Sequence, residues 1–417
     1  MEIKFIPLRV KILLKKLFES VTDEWYLHII MPILVSKMRK KDRIRVLFLL
    51  TELASWKTEM LYLALRRHPR FDPILGITTN RENIGSEHNL IKYLEGKGYP
   101  FIWIKEDDCL VSQTHADIIT FQKPYEANRH PKHLAWNNRR AIYCCFDYGL
   151  HSTLGFWNVH QRYYHICFRL FFENQSVLDD FVPLLNVNSS RLVATGVPMM
   201  DQLILPAEEF PNPWKNNDSR KRIIYAPHHT IADMHYKGIA FSTFLEYCDF
   251  MLYLADKYKD QVVFAFKPHP RLYTNLLNIW GQEKTDSYYN EWKIRENCQL
   301  EDGVYDGLFK HSSAMIHDCG SFITEYQYSH HPALYLVGEN SDHSNMVSLA
   351  TNSFNLHYKA TSKVQIEEFI QDVVSGNDPL KKERDLHYKA QLLPPYGKTA
   401  CENIINVILG EKSIYRN

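Results

Sequence analysis

The sequence predicts an α/β protein with two doubly wound, parallel-sheet domains that face a cleft. Three observations lead to this prediction. The chain has 417 residues, which is too many for one hydrophobic core of ordinary size. Short apolar runs of strand length alternate with segments of helical spacing, as in parallel sheets with crossover helices. The alternation stops at a polar stretch near residues 208–221 and then starts again, so we expect two such domains.

The composition is that of a folded protein of a reducing compartment. Hydrophobic residues make up 45% of the chain and charged residues 23%, which provides ample material for a core. The formal net charge is only +1, which argues against nucleic acid as a partner. Eight cysteines without metal-type spacing are too few for a disulfide scaffold, so we expect a cytoplasmic location. We find no signal peptide and no apolar run long enough to span a membrane.

Residues 1–40 are the first predicted element, an N-terminal helical segment. Its apolar residues recur with the spacing of one helix face; they are Val10, Leu13, Leu14, Leu17 and Phe18. We favour a helix that packs on the protein's own core. The alternative is a basic amphipathic helix on an anionic membrane, since residues 1–41 hold nine Lys/Arg and four Asp/Glu, a net of +5. The protein would then be peripheral on the inner face of the cell membrane.

The first domain, residues 41–207, is predicted to be Rossmann-like. Its first strand is the apolar run RIRVLFLLT, which begins at Arg43 and is followed by a loop and by helical spacing through Leu61 and Leu65. Further strands are predicted in the runs DPILGITT, PFIWI, ADIITFQ, RAIYCCFDYG and SRLVATGVP. Polar or helical stretches separate the runs, which is the order that right-handed crossover connections require.

The second domain is predicted at residues 222–417, after a linker at about 208–221. Its strands are predicted in the runs KRIIYAP, QVVFAFKPHP, AMIHDCGS and PALYLVG. The last helix of the chain could pack back on the first domain. Ligands of such sheets bind at the carboxyl ends of the strands, and the unusual residues of this chain lie there.

Two loops at these strand ends, YAPHHT and FKPHPRL, present histidine and cationic side chains. The residues concerned are His228, His229, Thr230, Lys267, His269 and Arg271. The prolines of the second loop hold an extended turn, so its polar side chains have fixed positions. Rigid cationic and imidazole groups suit the charge of a phosphate. Each histidine alone fits a structural role better, but loops on neighbouring strands favour a joint site.

The third loop lies in HDCGSFITEY, residues 317–326, between a predicted strand and a predicted helix. Gly320 permits a tight turn or a close backbone approach, and Ser321 is placed to cap the helix. The N–H groups of the first helical turn would then favour an anion. Glu325, one turn further on, could accept a hydrogen bond from a ribose hydroxyl. The alternative is an ordinary capped helix without a ligand.

We expect no metal site in this chain. The residues His228, His229, Asp233 and His235 are close in sequence, but their spacing matches no standard pair of helical metal ligands. No tightly bound cofactor is expected, and a Mg²⁺ ion that accompanies a phosphate ligand is left open.

The order of these motifs resembles a known family. The segments TGVPMMD, YAPHHT, FKPHP and HDCGSFITEY, with PALYL after them, are similar in order and spacing to the CDP-glycerol glycerophosphotransferases of bacteria. The resemblance covers about residues 190–340 and extends weakly to ADIITFQKPYE and IYCCFDYGLH. It implies a GT-B fold and the transfer of glycerol phosphate, or a related polyol phosphate, from a CDP-linked donor to an acceptor hydroxyl. CMP would be released, and the acceptor would be a lipid-linked or polymeric precursor of a teichoic acid or capsule polysaccharide.

The resemblance also implies roles for individual residues. His269 would contact the donor pyrophosphate, and Ser321 with the neighbouring N–H groups would hold phosphate oxygens. Asp318 or Glu325 would meet the ribose of the nucleotide or organise the loop. These roles agree with the chemistry of the residues themselves, because phosphoryl transfer depends on positioning and charge stabilisation.

The chain departs from the family pattern in two places. His229 and Thr230 stand where aromatic and Arg residues are usual, so one phosphate clamp is either missing or replaced by imidazole. The family's Trp-His-Gly-Thr-Pro run, whose histidine is a candidate general base, corresponds here to DYGLH at 147–151. The candidate bases and catalytic residues are therefore Asp147, Tyr148, His151 and, at the phosphate, His269.

The function expected from the sequence is that of a glycerophosphotransferase-like enzyme of cell-envelope polymer synthesis. In this hypothesis the donor binds the second domain and the acceptor docks on the first. A nucleotide-sugar glycosyltransferase or an epimerase on the same fold is the first alternative, because the fold does not fix the donor. A non-catalytic GT-B-like binding protein is the second alternative, because the base histidine is displaced.

Overall fold

The chain divides into two units, each built on a parallel β-sheet. The structure, a computed structural model, describes residues 8–155, 161–215, 218–231 and 241–411. The first unit comprises Met1–Gly149, Gly155–Gln202 and Pro394–Asn417, and the second comprises Leu150–Leu154 and Leu203–Leu393. The chain therefore crosses between the units four times.

The sheet of the first unit has seven parallel strands in the order β3-β2-β1-β4-β5-β6-β7. The strands are β1 Ile44–Leu50, β2 Phe71–Ile77, β3 Phe101–Trp103, β4 Ile118–Phe121, β5 Ile142–Cys145, β6 Arg169–Phe172 and β7 Leu192–Ala194. The helices are α1 Leu8–Trp25, α2 Met31–Arg39, α3 Glu59–Arg67, α4 Glu87–Gly96, α5 Leu110–Thr114, α6 Arg162–Ile166, α7 Gln175–Phe181 and α8 Pro198–Leu203. A π-helical turn at Tyr26–Ile30 joins α1 to α2.

The sheet of the second unit has six parallel strands in the order β10-β9-β8-β11-β12-β13. The strands are β8 Lys221–Ala226, β9 Val262–Phe266, β10 Cys298–Leu300, β11 Ala314–His317, β12 Ala333–Leu336 and β13 Tyr358–Ala360. The helices are α9 Phe244–Lys257, α10 Leu272–Trp280, α11 Gln282–Ile294, α12 Asp306–Lys310, α13 Phe322–Glu325, α14 Ser348–Asn355, α15 Lys363–Ser375 and α16 Lys381–His387. The last helix of the chain, α17 Ala400–Leu409, belongs to the first unit.

The second sheet is covered on both faces, which explains why its central strands are mainly apolar. In β8, Ile223 and Tyr225 join one buried cluster and Ile224 and Ala226 join another, so alternate side chains enter different cores. Phe266 of β9 stacks on Trp292 of α11, with ring centroids 5.1 Å apart. The predicted fold class, two Rossmann-like parallel-sheet domains, is confirmed.

Every strand predicted from an apolar run is present, but three strands were missed. The missed strands are β6, β10 and β13, which have only three or four residues each. The last two are the outermost strands of the second sheet, and they contain Gln299 and Lys359. Edge strands are short and tolerate polar side chains because one side has no partner strand, so the apolar pattern that marks a central strand is absent.

The N-terminal segment is helical as predicted, but its apolar stripe is not packed on the core. The five side chains of the stripe, Val10, Leu13, Leu14, Leu17 and Phe18, are between 42 and 69% exposed. The favoured expectation of a core-facing stripe is therefore wrong. Among the residues that the structure describes, no helix is long and apolar enough to cross a membrane.

The C-terminal helix α17 is fastened to the first unit by a buried carboxylate. Asp201 of α8 accepts hydrogen bonds from the backbone N–H groups of Ala400 (2.7 Å) and Cys401 (2.8 Å). These N–H groups lie in the first turn of α17 and have no partner within the helix. Gly196, at φ +80°, lies beneath the helix, where a Cβ atom would come within 2.8 Å of the Cβ of Ala400. Glycine is required there by both the backbone angle and the close approach.

Replacement of Asp201 by Ala is expected to loosen α17. The change leaves two buried N–H groups unsatisfied, which costs about 2 kcal/mol or more. Hydrogen exchange measured by mass spectrometry should show faster exchange in peptides that cover 400–409. Asp179→Ala on α7 removes an exposed carboxylate and serves as the control, since surface changes usually cost less than about 0.5 kcal/mol. Equal exchange in the two variants would contradict the role of Asp201.

Candidate anion-binding site

Three loops with polar residues meet at the carboxyl edge of the second sheet. The strand order of this sheet matches that of nucleotide-binding doubly wound sheets, in which the first strand lies between the second and the fourth. The loops after β8, β9 and β11 therefore follow three adjacent strands, and β8 and β11 flank the point where the order reverses. This is the place where such sheets bind ligands.

Asp318, which follows β11, ties the loops together. Its buried carboxylate accepts hydrogen bonds from the backbone N–H groups of His228 (2.6 Å) and Thr243 (2.7 Å). The hydroxyl groups of Ser242 and Thr243 donate to the same carboxylate at 2.8 and 3.0 Å. Burial raises the pKa of Asp318, and these hydrogen bonds oppose the rise. These hydrogen bonds make Asp318 a positioning group for the loops.

Three imidazole rings lie together beside the loops that Asp318 connects. The ring centroids of His228 and His229 are 4.4 Å apart, those of His229 and His269 are 4.2 Å apart, and those of His228 and His269 are 4.9 Å apart. The backbone N–H of His269 donates to the carbonyl of Pro227 at 3.0 Å, which links the β8 and β9 loops. The ring of Phe241 stacks on that of His228, and their centroids are 4.9 Å apart.

Two of these rings are held neutral. Burial, together with the neighbouring His229, lowers the pKa of His228 to about 3. Burial and the surrounding histidine and cationic groups lower the pKa of His269 to about 2. Both values lie far below the ordinary value of about 6.5, so neither ring carries a charge at neutral pH.

The hydrogen bonds that His229 and His269 accept at Nδ1 indicate that each of these rings carries its proton on Nε2. The backbone N–H of Arg271 donates to Nδ1 of His269 at 3.1 Å. The side-chain amide of Asn275 points its Nδ2 at Nδ1 of His229, 3.4 Å away, and donates to the carbonyl of the same residue at 2.9 Å. A neutral imidazole that accepts at Nδ1 carries its proton on Nε2. These two rings therefore offer Nε2–H groups, which suit an oxyanion.

The same three histidines satisfy the spacing of a metal site. Their ligand atoms all lie within 4.8 Å of one another, and no other group of three or more such side chains does so within the described residues. A metal ion at Nε2 of His269 would have to displace the proton that the hydrogen bond from Arg271 places there. The geometry therefore favours an anion at this position. Asp233 and His235 lie outside the described residues.

The cationic residues of the FKPHPRL loop have different environments. Arg271 is exposed at the beginning of α10, beside His269. Lys267 is buried, with its Nζ 5.8 Å from the ring centroid of Tyr305. Thr230 lies with its hydroxyl 3.0 Å from Nδ1 of His228 and fixes that ring. Arg271 is thus the cation of this loop that an incoming anion can reach directly.

The Cys-Gly-Ser corner after β11 is more open than expected, and its helix is shorter. Ser321 is exposed, but its side chain makes no capping hydrogen bond; its Oγ lies 3.3 Å from Sγ of Cys319. The expected cap is therefore absent, and the hydroxyl is not engaged by the helix. A Cβ atom at Gly320 would meet nothing within 4 Å, so there is open space over the backbone at this corner.

Glu325 is buried beneath this corner rather than displayed. Its Oε2 accepts a hydrogen bond of 2.6 Å from the hydroxyl of Tyr305, the ring that also lies near Lys267. This burial gives no support to a direct contact between Glu325 and a ribose. The residue instead braces the segment between β10 and α12.

Helices α10 and α11 add a cavity that the sequence did not reveal. The cavity has a volume of about 770 Å³ and extends from His269 along the two helices. Its wall includes Tyr273, Asp286, Tyr289 and Lys293. Tyr273 donates to Oδ1 of Asp286 at 2.7 Å. These residues lie within ordinary helical sequence, so no motif marks them, and only the fold shows that they border the site.

The candidate general bases are divided between the two units. Asp147 and Tyr148 follow β5 in the first unit, where Tyr164 donates to Asp147 at 3.2 Å. The hydroxyl of Tyr148 lies 3.1 Å from that of Tyr125, and burial raises the pKa of Tyr148. His151 is buried in the segment Leu150–Leu154, which belongs to the second unit and pairs with residues 345–347. The three candidates therefore have different surroundings, although they lie within five residues of the chain.

Comparison with solved structures gives the fold class. The chain is similar to the wall teichoic acid polymerase TagF, with a TM-score of 0.60 and 13% identity over 95% of this chain and 94% of that one. It is also similar to UDP-GlcNAc 2-epimerase from Neisseria meningitidis bound to UDP-GlcNAc, with a TM-score of 0.56 and 14% identity over 88% and 99% of the two chains. MnaA of S. aureus with UDP gives a TM-score of 0.58 and 14% identity over 88% and 96%.

The chain has the GT-B fold. No family model and no curated protein matches the sequence. The likeness at 13–14% identity therefore establishes the fold and leaves the reaction to be argued from the residues of the site.

The low pKa values of His228 and His269 predict that both rings stay neutral at pH 5. NMR of the imidazole nitrogens should show neutral rings there in the folded protein. In urea the same rings should titrate near the ordinary value of about 6.5. Because the folded pKa values lie below the unfolded ones, the folded protein loses stability as the pH falls from about 6.5 towards 3. Protonated rings in the folded protein at pH 5 would show that the cluster is more solvated than the structure indicates.

Asp318→Asn is expected to release the loops without a change in side-chain size. The new amide would place an N–H₂ group against N–H and O–H donors, at a cost of about 1–3 kcal/mol. Hydrogen exchange should become faster in peptides that cover 228–231 and 241–243. Asp249→Asn, at an exposed position on α9, is the control. If the two variants exchange equally, Asp318 does not organise the loops.

Proposed function

We propose that the protein transfers glycerol phosphate, or a related polyol phosphate, from a CDP-linked donor to an acceptor hydroxyl. The acceptor oxygen forms a bond to the phosphorus that carries the polyol. The bond from that phosphorus to the bridging oxygen breaks, and CMP leaves with this oxygen. The acceptor proton passes to a general base. The acceptor in this proposal is a lipid-linked or polymeric precursor of a cell-surface polysaccharide or teichoic-type polymer.

The observation that carries the proposal is the three-histidine cluster at the reversal point of the second sheet. Two of its rings offer Nε2–H donors, and Arg271 supplies a cation next to them. The diphosphate of a nucleotide-linked donor presents several oxyanions in a small volume, which a group of fixed donors matches. Such preorganised donors stabilise the charge that moves to the leaving phosphate during transfer.

The other residues of the site support this arrangement. Asp318 holds the His228 loop and the segment that contains Ser242, so the donors keep their positions as the charge moves. The hydroxyl of Ser321 and the open backbone at Gly320 are accessible at the same sheet edge. In this proposal they hold further phosphate oxygens. The cavity along α10 and α11 has the volume of a small-ligand site and would receive another part of the donor.

The general base in this proposal belongs to the segment 147–151. Asp147 is half-buried and carries an acceptor oxygen next to Tyr164, which suits a base. Tyr148 suits the role less well, because burial raises its pKa and keeps its proton in place. His151 is buried and would have to be uncovered before it could act. We therefore favour Asp147. A requirement for Mg²⁺ at the diphosphate is left open.

A second candidate function is the conversion or transfer of a nucleotide-linked sugar. It is favoured by the likeness to UDP-GlcNAc 2-epimerases, whose TM-scores are close to that of TagF. The histidine cluster would bind the diphosphate of a UDP-linked donor equally well, because phosphate contacts do not read the base. A GT-B-like protein that binds a nucleotide without turnover is the remaining alternative.

A thermal-shift screen of CDP-glycerol, UDP-GlcNAc and a GDP-linked sugar tests the proposal. CDP-glycerol is expected to bind most tightly and therefore to give the largest increase in melting temperature. A ligand at one hundred times its Kd stabilises the folded protein by about 2.7 kcal/mol. Mass spectrometry of the product should then show the added mass of a glycerol phosphodiester. Selective stabilisation by the UDP-linked sugar, with an altered or transferred hexose, would establish the second candidate instead. Binding without any product would establish the binding protein.

His269→Ala is expected to lower turnover of the preferred donor by about 10²–10³, the usual effect of removing one charge-stabilising donor. His331→Ala is the matched control. It removes another partly buried histidine of the second unit whose pKa burial lowers to about 4, away from the three loops. A His269→Ala enzyme that retains activity within about twofold of wild type would show that this ring does not stabilise the transferred charge.

A further inference from the structure

The N-terminal helix α1 turns its polar face towards the body of the first unit. Asp23 accepts a hydrogen bond from Nε of Arg162 at 2.7 Å and pairs with Arg139 as well. Glu19, one turn earlier, pairs with Arg162 at 3.0 Å. Tyr26, directly after α1, is fully buried and donates to the carbonyl of Ala141 at 2.7 Å. Ion pairs and one buried ring, rather than an apolar seam, hold this helix to the first unit.

The opposite face of the helix is apolar and exposed. It carries Val10, Leu13, Leu14, Leu17, Phe18, Val21 and Trp25, all of which are more than two-fifths exposed. At 100° per residue these positions fall within one arc of the helix, and Glu19, Asp23 and Tyr26 fall on the other side. The exposed apolar surface continues beyond α1 to Ile29 and Ile33. A helix that packs on a globular domain normally shows the reverse orientation, and an exposed apolar face of this kind is typical of a docking surface.

The segment of sequence that contains this face is basic. Residues 1–41 carry nine Lys/Arg and four Asp/Glu, a net of +5. Glu19 and Asp23 are engaged by arginines of the same unit, Lys41 is engaged by Asp117, and Glu24 on the exposed face pairs with His28. Lys15 and Lys16 are exposed on the flanks of the stripe. A basic border around an apolar face complements an anionic lipid surface.

We propose that α1 docks its apolar face on an anionic lipid bilayer and lies parallel to the membrane plane. Leu13, Leu17 and Phe18 would enter the boundary between headgroups and acyl chains, and Trp25 would lie at headgroup depth, where tryptophan is enriched. The helix does not span the bilayer, because no described helix is long and apolar enough for that. This binding needs neither a donor nor turnover, so it stands independently of the proposed transfer.

A second copy of the chain fits the same face less well. A symmetric dimer places the same patch of each copy against the other, so the basic borders would face each other. Like charges that face each other across an interface weaken binding, whereas an anionic lipid surface attracts the basic residues. The charge pattern therefore selects the bilayer as the occupant.

Flotation of the full chain with lipid vesicles tests the inference. The protein should bind vesicles made of equal parts phosphatidylcholine and phosphatidylglycerol at least about tenfold more strongly than vesicles of phosphatidylcholine alone, and high salt should weaken this binding. The double variant Leu17→Glu/Phe18→Glu should bind the anionic vesicles at least about tenfold more weakly than wild type. Val21→Glu, one turn further along the same face, provides an independent variant.

Ile294→Glu is the matched control, because Ile294 is an equally exposed apolar side chain on α11 of the second unit. It should bind vesicles like wild type. The inference is overturned if wild type does not bind the anionic vesicles, or if the α1 variants bind as tightly as Ile294→Glu. It is also overturned if light scattering without vesicles shows a dimer that the α1 variants separate while vesicle binding is absent. Donor-induced thermal shifts in the same variants report separately on the proposed transfer.

Discussion

The buried carboxylate of Asp318 is the interaction on which the site of the second unit depends. A parallel sheet brings the ends of its strands to one edge, but it does not fix the loops that follow them. Here one side chain accepts hydrogen bonds from two backbone N–H groups and two hydroxyls of other segments, so the loop after β8 and the segment before α9 share an anchor with the loop after β11. A buried charge is tolerated at this point because each of its oxygens is satisfied.

The neutrality of His228 and His269 has a consequence for selectivity. A cluster of cationic side chains attracts any anion, and its charges must be paired with acidic groups when no ligand is bound. Neutral rings, in contrast, can pack together without repulsion. Hydrogen bonds from neutral donors depend strongly on distance and angle, so such a site distinguishes oxyanions by their shape more than by their charge. In the proposed function, Arg271 would supply long-range attraction and the imidazoles would supply the geometry.

Much of the fold could be predicted from the sequence, because the central strands are apolar runs with loops at fixed ends. The alternation of strands with helices predicted parallel sheets, and parallel strands place the three motifs on one edge. The edge strands β10 and β13 escaped prediction, since their polar residues break the pattern. The role of Asp318 was foreseen only as one of two options, and its partners Ser242 and Thr243 carry no motif. The burial of Lys267 and Glu325 depends on Tyr305, which lies 38 residues after one and 20 before the other, and no local signal records such a contact.

The division of the chain into interleaved segments affects how the protein is made. The first unit contains segments on both sides of the second unit in sequence, so α17 leaves the ribosome after the second unit. Its sheet can form early during translation, but the groove that holds Asp201 and Gly196 stays uncovered until the whole second unit has been synthesised. The first unit therefore reaches its full stability only after α17 has been synthesised, and the surface that receives α17 stays exposed for the time that translation of about two hundred residues requires, roughly 10–40 s at 5–20 residues per second.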